Sequence, residues 1–230
     1  DGRPRYFQLP VGLASTNRDL LLTNSTKGRA WFATFRFAKD FGDLSIDGSY
    51  TRSNVKDVAN LTSSTASSNY QNNVFVDPNN VEYGRSIYEF RDQWKFGIDY
   101  SKEFFGNNKT RFGLFGEYRS GRPYSLTMLE NVGGRGAVFG TVGNQLLYIP
   151  TLNDTRVSFD SAASQTAFDT LITNLGLDKY RGRIVPKNSQ TSSDFFKVDL
   201  HMSQEIPVTG TAKVELFADI ENVLNMIDSD

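Results

Sequence analysis

The plainest feature of the chain is an alternation of apolar and polar residues with a period of two. Over residues 87–104 the even positions read Tyr88, Phe90, Asp92, Trp94, Phe96, Ile98, Tyr100, Lys102 and Phe104. The odd positions read Glu89, Arg91, Gln93, Lys95, Gly97, Asp99, Ser101 and Glu103. Successive side chains of a β-strand point to opposite faces, so one face is mostly apolar and the other charged. The run far exceeds the ~5–6 residues of an ordinary strand.

The pattern recurs. Leu44, Ile46, Gly48 and Tyr50 alternate with Ser45, Asp47, Ser49 and Thr51. Phe196, Val198, Leu200 and Met202 alternate with Lys197, Asp199, His201 and Ser203, and Val214, Leu216 and Ala218 with Lys213, Glu215 and Asp219. Weaker versions place Trp31, Ala33, Phe35 and Phe37 on one side, and Phe112, Leu114, Gly116 and Tyr118 on another. These segments predict six long strands at about 28–39, 44–54, 86–104, 110–124, 191–205 and 211–225. Gly, Asn, Asp and Pro clusters of hairpin length at 40–43, 105–109 and 207–210 join them into three hairpins. Between the hairpins lie two long polar connections, about 55–85 and 126–190.

The connections carry signals of their own. Residues 62–69 form a Ser- and Thr-rich tract that predicts mobility. Leu146, Leu147, Tyr148 and Ile149 predict a short strand stopped by Pro150. Ala167, Phe168, Leu171, Ile172 and Leu175 have the spacing of a short amphipathic helix over 164–175, capped by Ser161 or Ser164.

Composition sharpens this picture. The chain is 38% hydrophobic yet 13% aromatic, with 18 Phe and 10 Tyr, and its mean hydropathy is −0.43. No stretch approaches the ~20 apolar residues of a membrane helix, but a barrel strand shows lipid only every second residue. The net charge of −1 argues against a nucleic-acid partner. The absence of cysteine excludes disulfides and thiolate metal sites. The first residues carry no start Met or apolar signal core, and no closing element follows Asn225, so both ends read as cut.

A soluble sheet with one packed face also alternates. Six long strands, however, present a wide apolar face that one short helix cannot cover. Aromatics gather at strand ends, Tyr88 and Phe90 at one end and Tyr100, Phe104 and Phe105 at the other, as in the aromatic girdles of membrane barrels. The expected fold class is therefore all-β: one antiparallel transmembrane β-barrel domain, represented by about six strands. Short periplasmic turns and long extracellular loops would join them. Trp94, Phe96, Ile98, Tyr100, Leu114, Val198, Leu200, Val214 and Leu216 are the expected lipid-facing residues. Since such barrels start at ~8 strands, further strands must complete it.

Catalytic and metal signals are weak. His201 is the only histidine and falls on the polar face between Asp199 and Ser203, with no oriented nucleophile in the pattern. Asp154 and Asp160 lack the dense spacing of a calcium loop. Gly133-Gly134-Arg135-Gly136 lacks the βα surroundings of a phosphate cradle. We expect no enzyme activity, cofactor or metal.

Ser120-Gly121-Arg122-Pro123-Tyr124-Ser125, after a strand ending Glu117-Tyr118-Arg119, resembles the SGRPYS run of TonB-dependent outer-membrane receptors. The stretch from Val214 through Asp219 and Asn222 to Asn225 resembles their late-strand pattern. The segments at 147–150, 179–183 and 199–205 are similar to Oar-like receptors in particular. The likeness covers about the second half of the chain. It implies a 22-stranded barrel in the bacterial outer membrane that takes up a scarce nutrient with energy supplied by TonB. Its partners would be the lipid bilayer, the barrel's own plug domain, TonB and an unidentified ligand. Glu89, Arg91, Glu117, Arg119, Tyr124 and Tyr148 are the expected contacts to ligand or plug. The chain departs from the family in showing no plug domain, no TonB box and no final strands. Other outer-membrane barrels, either passive porins or enzymes, and a soluble β-sheet binding protein are the alternatives.

Overall fold

The computed structural model describes residues 20–128 and 144–226. The glycine-rich run at 133–136 and the residues after Met226 lie outside the described residues. The six long strands form an antiparallel sheet in chain order: β1 (Arg29–Phe41), β2 (Leu44–Asp57), β3 (Asp92–Phe105), β4 (Asn108–Arg119), β5 (Phe195–Thr209) and β6 (Ala212–Ile220). Each hairpin turns on two residues, the first a glycine at positive φ (Gly42 67°, Gly106 63°, Gly210 56°). That conformation costs other residues a Cβ clash, so three short turns each require Gly.

Several strand ends differ from expectation. β3 begins at Asp92, not near residue 86. Between the register pairs Arg52–Asp92 and Lys56–Arg85, β2 has Ser53, Asn54 and Val55, whereas the facing chain has the six residues 86–91. The surplus leaves the ladder. β4 stops at Arg119, β5 starts at Phe195 and β6 ends at Ile220, where Asn222 adopts a φ of 53°.

The chain falls into two compact units. Of the described residues, one holds 30–54, 89–122 and 192–226, that is, most of the sheet; the other holds 20–29, 55–88, 123–128 and 144–191. The second has its own core, in which Ile149, Ile172, Leu177 and Val185 are fully buried, with Leu147, Phe168 and Tyr180 packed on them. Its main helix, α2 (Ala162–Asn174), follows an α1 of six residues (Ala66–Gln71). Ser161 caps α2, its Oγ accepting the Ser164 N–H at 3.1 Å. At the other end Gly176 stands at φ 62°. Gly176 N–H donates to Thr173 O and Leu177 N–H to Ile172 O. This is a Schellman closure with its usual apolar contact between Leu177 and Ile172.

Two-residue ladders hold the rest of this unit: Pro123–Tyr124 with Gln190–Thr191, Thr127–Met128 with Gln145–Leu146, and Tyr148–Ile149 with Arg183–Ile184. The strand expected at 146–149 is thus two short strands with different partners. α1, which begins within the Ser- and Thr-rich tract at 62–69, is held by Asn69, whose amide exchanges bonds with Ser63, and by Asn73, which bonds Asn60.

Candidate functional site

Register turns the alternation into surfaces. On one face of the sheet, Ile46, Ile98, Leu114, Leu200 and Ile220 lie side by side across β2, β3, β4, β5 and β6. Toward the long connections the next rows are Gly48–Phe96–Gly116–Val198 and then Tyr50–Trp94–Tyr118–Phe196. Toward the turns comes Leu44–Tyr100–Phe112–Met202–Ala218. The nine residues expected to face lipid, Val214 and Leu216 included, share one face of the sheet. Much of that face is bare: Trp94 is 49%, Phe196 49% and Leu216 60% exposed.

The glycines of the second row make room for rings. A Cβ on Gly116 would lie 2.1 Å from the Phe96 ring, and one on Gly48 would lie 2.6 Å from Phe37. Each ring lies over the bare backbone of its neighbour, which smooths the face. Charge on this face occurs near its margins. At the long-connection end Arg52 and Tyr50 both bond Asp92, at 2.7 and 2.6 Å. Lys102 lies 3.5 Å from Asp43 at the turns.

The opposite face is mostly polar, although the exposed rings of Phe115 and Phe217 stand on it, and many of its charges are paired. Lys197 meets Asp199 at 2.6 Å, His201 Nδ1 meets Asp219 at 2.6 Å, and Ser203 Oγ donates to Glu215 at 2.7 Å. Glu205 and Glu215 stand directly opposite in register, a repulsive arrangement by itself. It is relieved by Lys213 on Glu205 at 2.7 Å and Arg111 near Glu215 at 3.9 Å. The Ser203 hydroxyl donates to Glu215 and not to His201. Among the described residues no group of three or more His, Asp or Glu side chains gathers to hold a metal.

The six residues expected to contact a ligand or plug divide between the units. Glu89, Arg91, Glu117 and Arg119 belong to the sheet unit, Tyr124 and Tyr148 to the other. Glu89 is buried, with Arg91 3.6 Å away. Glu117 faces Lys95 and Lys197 in register and accepts from Gln93 Nε2 at 3.1 Å. The Arg119 guanidinium lies 4.4 Å from the Phe195 ring centre and 5.1 Å from that of Phe90. Arg122 lies 5.4 Å from the same Phe90 ring. Tyr124 is exposed at the edge of a two-residue ladder.

Tyr148 is buried and donates its hydroxyl to Asp154 at 2.5 Å. Arg156 grips the same carboxylate through Nε at 2.7 Å and Nη2 at 2.8 Å, and also bonds the Tyr148 hydroxyl. The Arg156 bonds, followed by that of Tyr148, hold the Asp154 carboxyl well below the usual carboxylate range. Asp154 is thereby committed to protein partners, while Asp160 is exposed.

The SGRPYS run is a clasp at the end of β4. Ser120 exchanges bonds with Asp92, its N–H donating to Asp92 O at 2.8 Å and its Oγ accepting the Asp92 N–H at 3.2 Å. Gly121 N–H donates to Asp194 Oδ1 at 2.9 Å, and Tyr118 donates to Asp194 Oδ2 at 2.7 Å. A Cβ on Gly121 would fall 1.9 Å from the Ser192 carbonyl oxygen, so only glycine fits there. In the other unit Ser125 donates to Asn188 Oδ1 and accepts the Asn188 N–H, both at 2.8 Å. Sequence reading singled out neither Asp194 nor Phe195, which precede the alternating part of β5. Comparison of the chain with family models, curated proteins and solved structures finds no match.

Proposed function

We propose that the six strands form part of the wall of a bacterial outer-membrane β-barrel, of the receptor and transporter kind that the sequence resembles. In this reading the apolar face meets lipid and the polar face lines the lumen. The observation that carries it is the register-aligned face. Its central row is wholly aliphatic, an aromatic row of Tyr50, Trp94, Tyr118 and Phe196 lies toward the long connections, Tyr100 and Phe112 lie toward the turns, and its charges stand near the margins. From Trp94 to Phe104 the strand advances about 33 Å, or about 25 Å along the membrane normal at ~40° tilt, the height of a barrel's apolar band.

One further feature supports it. β1 and β6 each have a single strand partner among the described residues. Bare strand edges invite aggregation, and further strands would remove them. A plug domain and TonB, the partners implied by the resemblance, would supply gate and energy. Catalysis has no place in this reading.

The test is gel migration of the protein extracted from outer membranes in detergent, unheated against boiled. A closed barrel migrates differently before boiling. A protein that stays in water without detergent and shows no shift would refute the proposal.

A further inference from the structure

The charges of the polar face are unevenly distributed. Near the long connections the register brings Lys95, Glu117 and Lys197 into one row, with Arg119 in the next. Nearer the turns Asp47, Asp99, Asp199 and Asp219 dominate, and Glu205 and Glu215 follow. Acid near the turns is largely matched by Arg111, Lys213 and hydrogen-bond donors. At the other end, Arg119 and Arg122 have no carboxylate partner among the described residues.

What holds these two arginines is aromatic. Arg122, Phe90, Arg119 and Phe195 are linked by successive ring-to-guanidinium distances of 5.4, 5.1 and 4.4 Å. Contact with a ring face orients a guanidinium but satisfies none of its N–H donors. Two forks with open donors, preorganised on rigid rings, suit the oxygens of a carboxylate or phosphate, which arginine binds bidentately. The clasp anchors the Arg122 backbone: its N–H donates to Ser192 Oγ at 2.9 Å, and its carbonyl accepts the Ser192 N–H at 3.0 Å.

We propose that Arg119 and Arg122, stacked on Phe90 and Phe195 at the long-connection end of the polar face, form a binding site for an oxyanionic ligand. The site lies wholly within the sheet unit. Its role as the first capture point of an imported ligand rests on the transporter reading; the binding itself does not.

The test is calorimetric titration of the purified full chain with citrate and, separately, inorganic phosphate. Saturable binding that weakens at least tenfold in Arg122→Gln, and again in Arg119→Lys, is the expected result. Lys213→Gln, which removes a charge near the turns, should leave it unchanged. Arg119→Lys retains the charge and loses the fork, so its effect separates bidentate recognition from simple attraction. Absence of saturable binding, or equal losses in Arg122→Gln and Lys213→Gln, would overturn the site. The gel shift, measured on the same preparations, distinguishes the two ideas. Shift without binding removes the site alone, and binding without shift removes the membrane reading alone.

Discussion

Leu200 and Phe196 lie on the same strand and the same face, four residues apart. Leu200 belongs to the central aliphatic row and Phe196 to the aromatic row. Four residues span about 13 Å of strand, or about 10 Å of depth at ~40° tilt. If the face meets lipid, arginine at Leu200 stands near the middle of the bilayer and costs about 2–4 kcal/mol, while at Phe196 it reaches the headgroups and costs about 0–1 kcal/mol. The larger figure corresponds to a loss of roughly thirty- to several-hundred-fold in the folding equilibrium. The assay is urea unfolding of Leu200→Arg and Phe196→Arg in lipid vesicles, followed by tryptophan fluorescence. Only two tryptophans are present. Trp94 lies on the apolar face, and Trp31 shares the side of β1 that carries Phe37 over Gly48. Equal costs at the two positions, or a larger cost at Phe196, would refute the lipid reading, because a protein-covered face penalises both sites as buried charges.

Two further outcomes follow from local geometry. Gly121→Ala places a Cβ against backbone oxygen, whereas Gly116→Ala meets a ring that can swing away. Gly121→Ala should therefore lose more stability than Gly116→Ala in the same urea titration, and the reverse order would discredit the clasp. The second concerns pH. Because the folded Asp154 carboxyl sits below its unfolded value of about 4, its stabilising contribution is present above that pH and disappears as pH falls through the lower folded value. Amide exchange at Tyr148 should stay flat from pH 7 to about 4 once corrected for intrinsic rates, then rise. Asp154→Asn should abolish that dependence.

The sequence by itself determined which side chains share a face along each strand, where the three hairpins turn and where α2 lies. These depend on local matters: the two-residue pleat, glycine at positive φ, and a 3.6-residue spacing closed by Ser161 and Gly176. Alternation does not reveal whether a partner strand is present, so Tyr88 and Phe90 alternate like strand residues although 86–91 lies off the ladder. Register needed the tertiary structure, and with it the rows that align Ile46 with Ile220 across five strands. The core of the second unit was likewise hidden. Ile149, Ile172 and Val185 come from separate stretches of what reads as polar connection, and burial depends on which distant segments meet. The same holds for Arg119, whose two rings come from Phe90 and Phe195. Nothing in the local pattern of a strand records contacts made across so long a stretch of chain.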